Sequence, residues 1–181
     1  MTADHRPTAL RISIAVAATA ATVTLAVTPT GVAQAQGGDP RVLVHNTPAD
    51  IPADVCGFPI HIDVIDDREY WVQQTDSPDG STTMRVTGTL KNRLTNLNTG
   101  ASIDYDNGGP GMFTMYLDGH VIFDFQGHSM AWIRAARQAQ LGKPAFRLTS
   151  GGHVQGIVDA AGDILELSTS GEVLDGCALL S

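Results

Sequence analysis

The groups in this chain best suited to proton chemistry near neutral pH are its histidines and the carboxylates set beside them. Of six histidines, five lie beyond residue 36: His45, His61, His120, His128 and His153. In Pro59–Val64 the apolar Ile60, Ile62 and Val64 alternate with His61 and Asp63. In His120–Phe125, Asp124 alternates with Phe123 and Phe125. A period of two puts each polar set on the face opposite the apolar one. In a sandwich that polar face meets solvent, and in a barrel it could instead point inward and line a cavity. His61, Asp63, His120 and Asp124 are therefore the candidate cavity or rim residues, with Trp132 capping a core or lining a mouth. A histidine held beside a carboxylate there would offer general acid–base chemistry.

Other chemistry is poorly served by the spacing. No two histidines stand four apart, and neither Cys-x-x-Cys nor His-Glu-x-x-His occurs, so no metal and no cofactor is expected. Asp76, Asp79, Asp104 and Asp106 lack the pattern of a calcium loop and read as turn caps. Gly127-His128-Ser129-Met130-Ala131 resembles the nucleophile elbow of an α/β-hydrolase. However, residues 130–152 contain no acid before the single later histidine, His153, and no alternation of strands and helices surrounds the motif. It reads as a strand-end turn. No catalytic residue is assigned, and the chain reads as a binding or interaction protein more readily than as an enzyme.

The elements that must position these groups follow from composition and punctuation. The chain has 181 residues, 43% hydrophobic and 17% charged, which excludes a disordered tail, a collagen-like fibre and a coiled coil. A formal charge of −8 speaks against nucleic acid as a partner. Arg6 and Arg11, the uncharged apolar run Ile12–Val27 and Ala33-Gln34-Ala35 read as a secretory signal peptide over residues 1–35, cleaved after Ala35. The product would be secreted. No later run approaches membrane-spanning length, so no stable membrane insertion is expected after cleavage. Cys56 and Cys177 then meet an oxidising compartment. One intramolecular bridge is the expected pairing, with buried thiols or an intermolecular bridge as the alternatives.

Residues 36–54, punctuated by Gly37, Gly38, Pro40, Pro48 and Pro52, read as a flexible leader, and 55–181 as a single domain. Short β-prone runs follow: Pro59–Val64, Tyr70–Val72, Thr82–Leu94, Ala101–Tyr105, Met112–Leu117, His120–Phe125, Phe146–Thr149, His153–Asp159 and Ile164–Ser168. Asp118-Gly119 marks the clearest hairpin. Phe113, Phe123 and Phe125, with Met115, Leu117 and Val121, form its core face. Met130–Leu141 breaks the pattern as a helix or irregular connection, ended by Gly142-Lys143-Pro144. The fold class expected is all-β: an antiparallel β-barrel of about eight strands, with a β-sandwich as the alternative, its ends joined by the disulfide.

The chain is similar to a family of small secreted actinobacterial proteins of unknown function. The residues that carry the resemblance are Val55-Cys56-Gly57-Phe58-Pro59, Thr87-Gly88-Thr89-Leu90, Asn96-Leu97-Asn98-Thr99-Gly100, Gly109-Pro110-Gly111, Leu148-Thr149-Ser150-Gly151-Gly152 and Asp175-Gly176-Cys177-Ala178-Leu179-Leu180. The resemblance implies an exported antiparallel β-barrel, similar in outline to lipocalin or allene oxide cyclase-type barrels, and carries no catalytic residue. Three functions remain open. The protein could bind a small apolar or amphipathic ligand or a cell-envelope component. It could be a structural or interaction module of the envelope acting through its surface. It could be a barrel-type cyclase or isomerase.

Overall fold

The computed structural model describes residues 41–181; the expected signal peptide and the first leader residues lie outside the described residues. Along the described chain run β1 (Val42–Leu43), β2 (Ala49–Ile51), α1 (Ala53–Cys56), β3 (Ile60–Asp76), β4 (Thr82–Asn96), β5 (Ser102–Asp106), β6 (Gly111–Met115), β7 (Val121–Gln126) and β8 (Ser129–Trp132). They are followed by α2 (Ala135–Leu141), β9 (Phe146–Ser150), β10 (His153–Val158), β11 (Ile164–Thr169), β12 (Glu172–Asp175) and α3 (Gly176–Leu180).

The spine is the β3–β4 hairpin, 17 and 15 residues long. Asp79 closes its turn by accepting from the Ser81 amide at 2.9 Å. The stretches Pro59–Val64 and Tyr70–Val72, separate by sequence pattern, are two halves of β3. Between them the register slips by one at Ile65: Val64 opposes Asn92, and Asp66 opposes Lys91. Such a bulge inverts the side-chain phase. Ile60, Ile62 and Val64 face inward before it, and Asp67, Glu69 and Trp71 after it. Opposite Glu69 stands Gly88 at φ +141°, where a Cβ would strike the Arg68 carbonyl. Only glycine tolerates that backbone conformation and that approach together.

Each half of the spine builds its own core. The second half of β4 pairs with β5 and its first half with β6, after which β7, β10 and β11 continue the antiparallel order. β1 and β2 line the other edge of β3. The order β12-β9-β8 makes a second, three-stranded sheet. One core gathers Ile51, Ile60, Ile62 and Leu94 against Trp132, Phe146 and Leu148 of the small sheet, and Leu180 of α3. The other gathers Trp71, Met84, Val86, Phe113, Phe123, Val154 and Ile164, with Ala131 of β8. The Cys56–Cys177 disulfide, Cα–Cα 5.2 Å, ties α1 to α3 beside the first core. The Asn96 side-chain amide donates to the Leu180 carbonyl at 2.8 Å there.

The antiparallel all-β class and the disulfide are as the sequence indicates. Four expectations change. The pairing is not closed among the described residues, because the large sheet runs openly from β1 to β11. The described part of the leader is packed: Val44 and Ile51 are buried, and β1 and β2 pair with β3. Met130–Leu141 divides into β8 and α2, because pairing with β9 buries Trp132 against Phe146 and Met130 against Leu148. That tertiary gain overrides the helical propensity of the stretch. Leu117, assigned to the core face of its hairpin, stands 84% exposed at the turn.

Candidate functional site

The polar residues expected at a cavity or rim stand on the outer surface, in three separate clusters. His61 Nδ1 lies 2.6 Å from Asp50 and its Nε2 3.2 Å from Asp63. The Asp50 hydrogen bond raises the His61 pKa against a lowering by burial, and the Asp63 charge adds to the rise. His120 Nδ1 lies 2.6 Å from Asp118 in the β6–β7 turn, and its ring stacks on Tyr116 at 4.1 Å. Asp124 is held by His153 Nε2 and, at 2.8 Å, by the Gln155 side-chain amide. Burial pushes the Asp124 pKa up, but these hydrogen bonds outweigh it and hold the carboxyl below its ordinary value. The structure thus brings His61 and Asp63 together and leaves His120 and Asp124 apart from them. Trp132 is a core residue, 7% exposed, rather than a mouth. Ser129 is buried, and its hydroxyl has no hydrogen-bond partner among the described residues, so the elbow-like motif assembles no activated nucleophile.

The site that emerges instead lies inside, where the spine bends between its two cores. The inward positions there are Val64, Asp67 and Glu69 on β3 and Gly88, Leu90 and Asn92 on β4. Asn92, only 1% exposed, directly opposes Tyr105 of β5. Tyr105 reaches across to the small sheet, its hydroxyl 2.6 Å from the Thr149 carbonyl and 3.1 Å from the Ser129 carbonyl. Burial pushes the Tyr105 pKa up to about 12, so the group is a fixed donor at any working pH. Glu69 is buried, and its Oε2 accepts from the Asn46 side-chain amide at 3.0 Å. Burial lifts its pKa to about 7; the Asn46 hydrogen bond opposes the rise and the Asp67 charge adds to it. The result is a polar belt of Asn46, Asp67, Glu69, Asn92, Tyr105 and Ser129 between two apolar regions.

Two properties distinguish the belt chemically. Glu69 exchanges its proton near neutral pH, the condition a proton-transfer group or a sensor requires. Asn92 Nδ2 and Ser129 Oγ are buried and lack hydrogen-bond partners among the described residues, as does Trp132 Nε1 on the opposite face of β8, in the first core. Among those residues no group of three or more His, Cys, Asp or Glu is disposed to hold a metal ion. Of the belt residues, sequence spacing singled out Ser129 alone, as the centre of the elbow-like motif. The one available signal was Asn92 and Asn96 recurring on the face of Leu90 and Leu94. Compared with known protein families, curated proteins and solved structures, the chain matches none.

Proposed function

We propose that the protein is exported and binds a small amphipathic molecule, held between the two sheets with its polar group at the belt. In this reading residues 1–35 direct secretion, and the large sheet wraps barrel-like around the bound molecule, as the resemblance to small secreted actinobacterial proteins implies. The observation that carries it is the pair of orphaned buried groups, Asn92 Nδ2 and Ser129 Oγ. A buried donor left unmet costs about 1–3 kcal/mol, and native proteins keep few of them. A polar ligand atom at the belt would meet them, and the flanking cores offer apolar surface for the rest of the molecule. The disulfide fits an oxidising destination, and among the described residues no helix is long and apolar enough to cross a membrane.

Native mass spectrometry of the protein recovered from a culture supernatant, repeated after denaturation, tests the reading. Mass lost on denaturation supports it and identifies the ligand. A protein of identical mass in both states, still bare after incubation with a lipid extract of the producing cells, overturns it. A second reading, an envelope interaction module acting through its surface, draws on the outward position of His61, Asp63, His120 and Asp124. That position removes support from a cyclase or isomerase built on those four groups.

A further inference from the structure

The segment leading into the domain is fastened to β3 by a short ladder, one buried apolar side chain and, at its far end, residues of the belt. Val42 and Leu43 pair with Trp71 and Tyr70. The Val44 amide donates to the Glu69 carbonyl at 2.8 Å, and the Val44 side chain is buried in the second core. The Asn46 amide donates to Asp67 Oδ2 at 2.7 Å. The Asn46 side-chain amide is shared between two carboxyls, 3.0 Å from Glu69 Oε2 and 3.4 Å from Asp67 Oδ2. One neutral amide therefore bridges a buried carboxyl and its neighbour, and the segment covers the bridge.

We propose that Val42–Asn46 is a pH-released strap, closed on β3 while the Glu69 carboxyl carries its proton and let go when Glu69 ionises beside Asp67. The inference stands whether or not the interior takes a ligand. On ionisation the proton passes to solvent and two negative charges converge on a single amide. Water is the remaining source of solvation, and with the strap closed Glu69 is only 7% exposed to it. Among the described residues no cation acts on Glu69. Opposite Asp67 and Glu69 on β4 stand Leu90 and Gly88, and the strap contributes Val44 and Asn46, none of which ionises. Arg68 is turned to Asp66 by bonds of 3.1 and 2.6 Å. Lys91 opposes Asp66 rather than Glu69, Asp106 caps the Gly108 amide at 2.9 Å, and His45 is exposed on the strap. Asp67 is the charge that acts on Glu69, and it acts toward release.

Amide hydrogen exchange of the recovered protein at pH 5.5 and 8.5, corrected for the intrinsic pH dependence of exchange, tests the strap. Protection of the Val44 and Asn46 amides should fall roughly thirty-fold between the two conditions. That is the linked difference for a carboxyl that titrates near 7 when covered and at its ordinary 4.5 when free. Protection in β9 should hold. Glu69→Gln should make strap protection independent of pH. Carbonyl NMR of the unmodified protein provides the second measurement, since the Glu69 carboxyl must titrate near the pH at which the loss of strap protection levels off. Equal protection at both pH values, a pH dependence that survives in Glu69→Gln, or a Glu69 carboxyl that does not titrate between pH 6 and 8 would each overturn the proposal.

Discussion

Replacing Tyr105 with Phe removes one oxygen and tests whether the belt joins the two sheets. The hydroxyl has a single proton, and the shorter contact, 2.6 Å to the Thr149 carbonyl, takes it in preference to the Ser129 carbonyl at 3.1 Å. Thr149 is 2% exposed, so water does not replace the lost donor. A neutral hydrogen bond contributes a net 1 kcal/mol or so, and a buried acceptor left unmet adds a desolvation penalty, together about 2 kcal/mol. The phenyl ring keeps its place beside the first core, so no large cavity term enters. For a chain of this size the loss corresponds to a fall in Tm of roughly 4–8 °C. Urea unfolding should show a lower midpoint with an unchanged slope. Tyr116→Phe, in the β6–β7 turn where the ring stacks on His120, serves as the control and should stay within about 0.5 kcal/mol. A Tyr105→Phe protein as stable as that control would refute the reasoning, because the inter-sheet hydrogen bond would then contribute nothing.

Serine at both Cys56 and Cys177 opens a loop of sequence separation 121; chain entropy then assigns a loss of about 5 kcal/mol, read by calorimetry of the two forms. Because burial raises the folded-state pKa of Glu69 to about 7 from 4.5, its stabilising effect is complete below pH 4.5 and is lost as pH rises through 7. The loss approaches about 3 kcal/mol, and unfolding curves at pH 5 and 8.5 should show it in the unmodified protein and not in Glu69→Gln. Gly88→Ala should abolish recovery of folded protein, since φ +141° and the Arg68 carbonyl both exclude a Cβ; normal yield with unchanged circular dichroism would contradict this. Asn92→Leu removes a buried orphaned donor and should leave stability unchanged or higher, while eliminating any mass that co-purifies with the unmodified protein in native mass spectrometry.

Much of the fold is legible because its strands alternate cleanly and its turns carry explicit chemistry. Asp118-Gly119 and Asp79-Gly80 announce their hairpins, and a chain with only two cysteines has one internal pairing open to it. What escapes is the phase of β3. The bulge at Ile65 adds one residue to one strand, and nothing in the types around it marks the insertion. Without it Asp67 and Glu69 fall on the outward face and look like ordinary surface acids. With it they turn inward and meet Asn46. The same limit explains the misplaced candidates: His61, Asp63 and Asp124 alternate as expected, but alternation cannot say which face a sheet will bury. β8 was hidden for a different reason, since its Met-Ala-Trp is as compatible with helix as with strand until Phe146 and Leu148 arrive as partners from β9.

The belt is the part of the molecule that stability alone does not account for. An apolar residue at position 92 and a neutral one at position 69 would let the two cores merge across the bend. They would also remove one unmet donor, at a gain of about 1–3 kcal/mol, and one buried ionisable group. Folding has a use for the glycine at 88 and the bulge at Ile65, because both let a long hairpin serve two cores. It has no comparable use for a carboxyl at 69 beside another at 67, or for an amide at 92 with nothing to bind. Local departures from what packing favours concentrate where a protein acts. Here three of them share one inward face, under a strap held by the same carboxyls. Their common position puts the proposed ligand site and the proposed strap in one region of β3 and β4, and sets the outward histidine clusters apart from it.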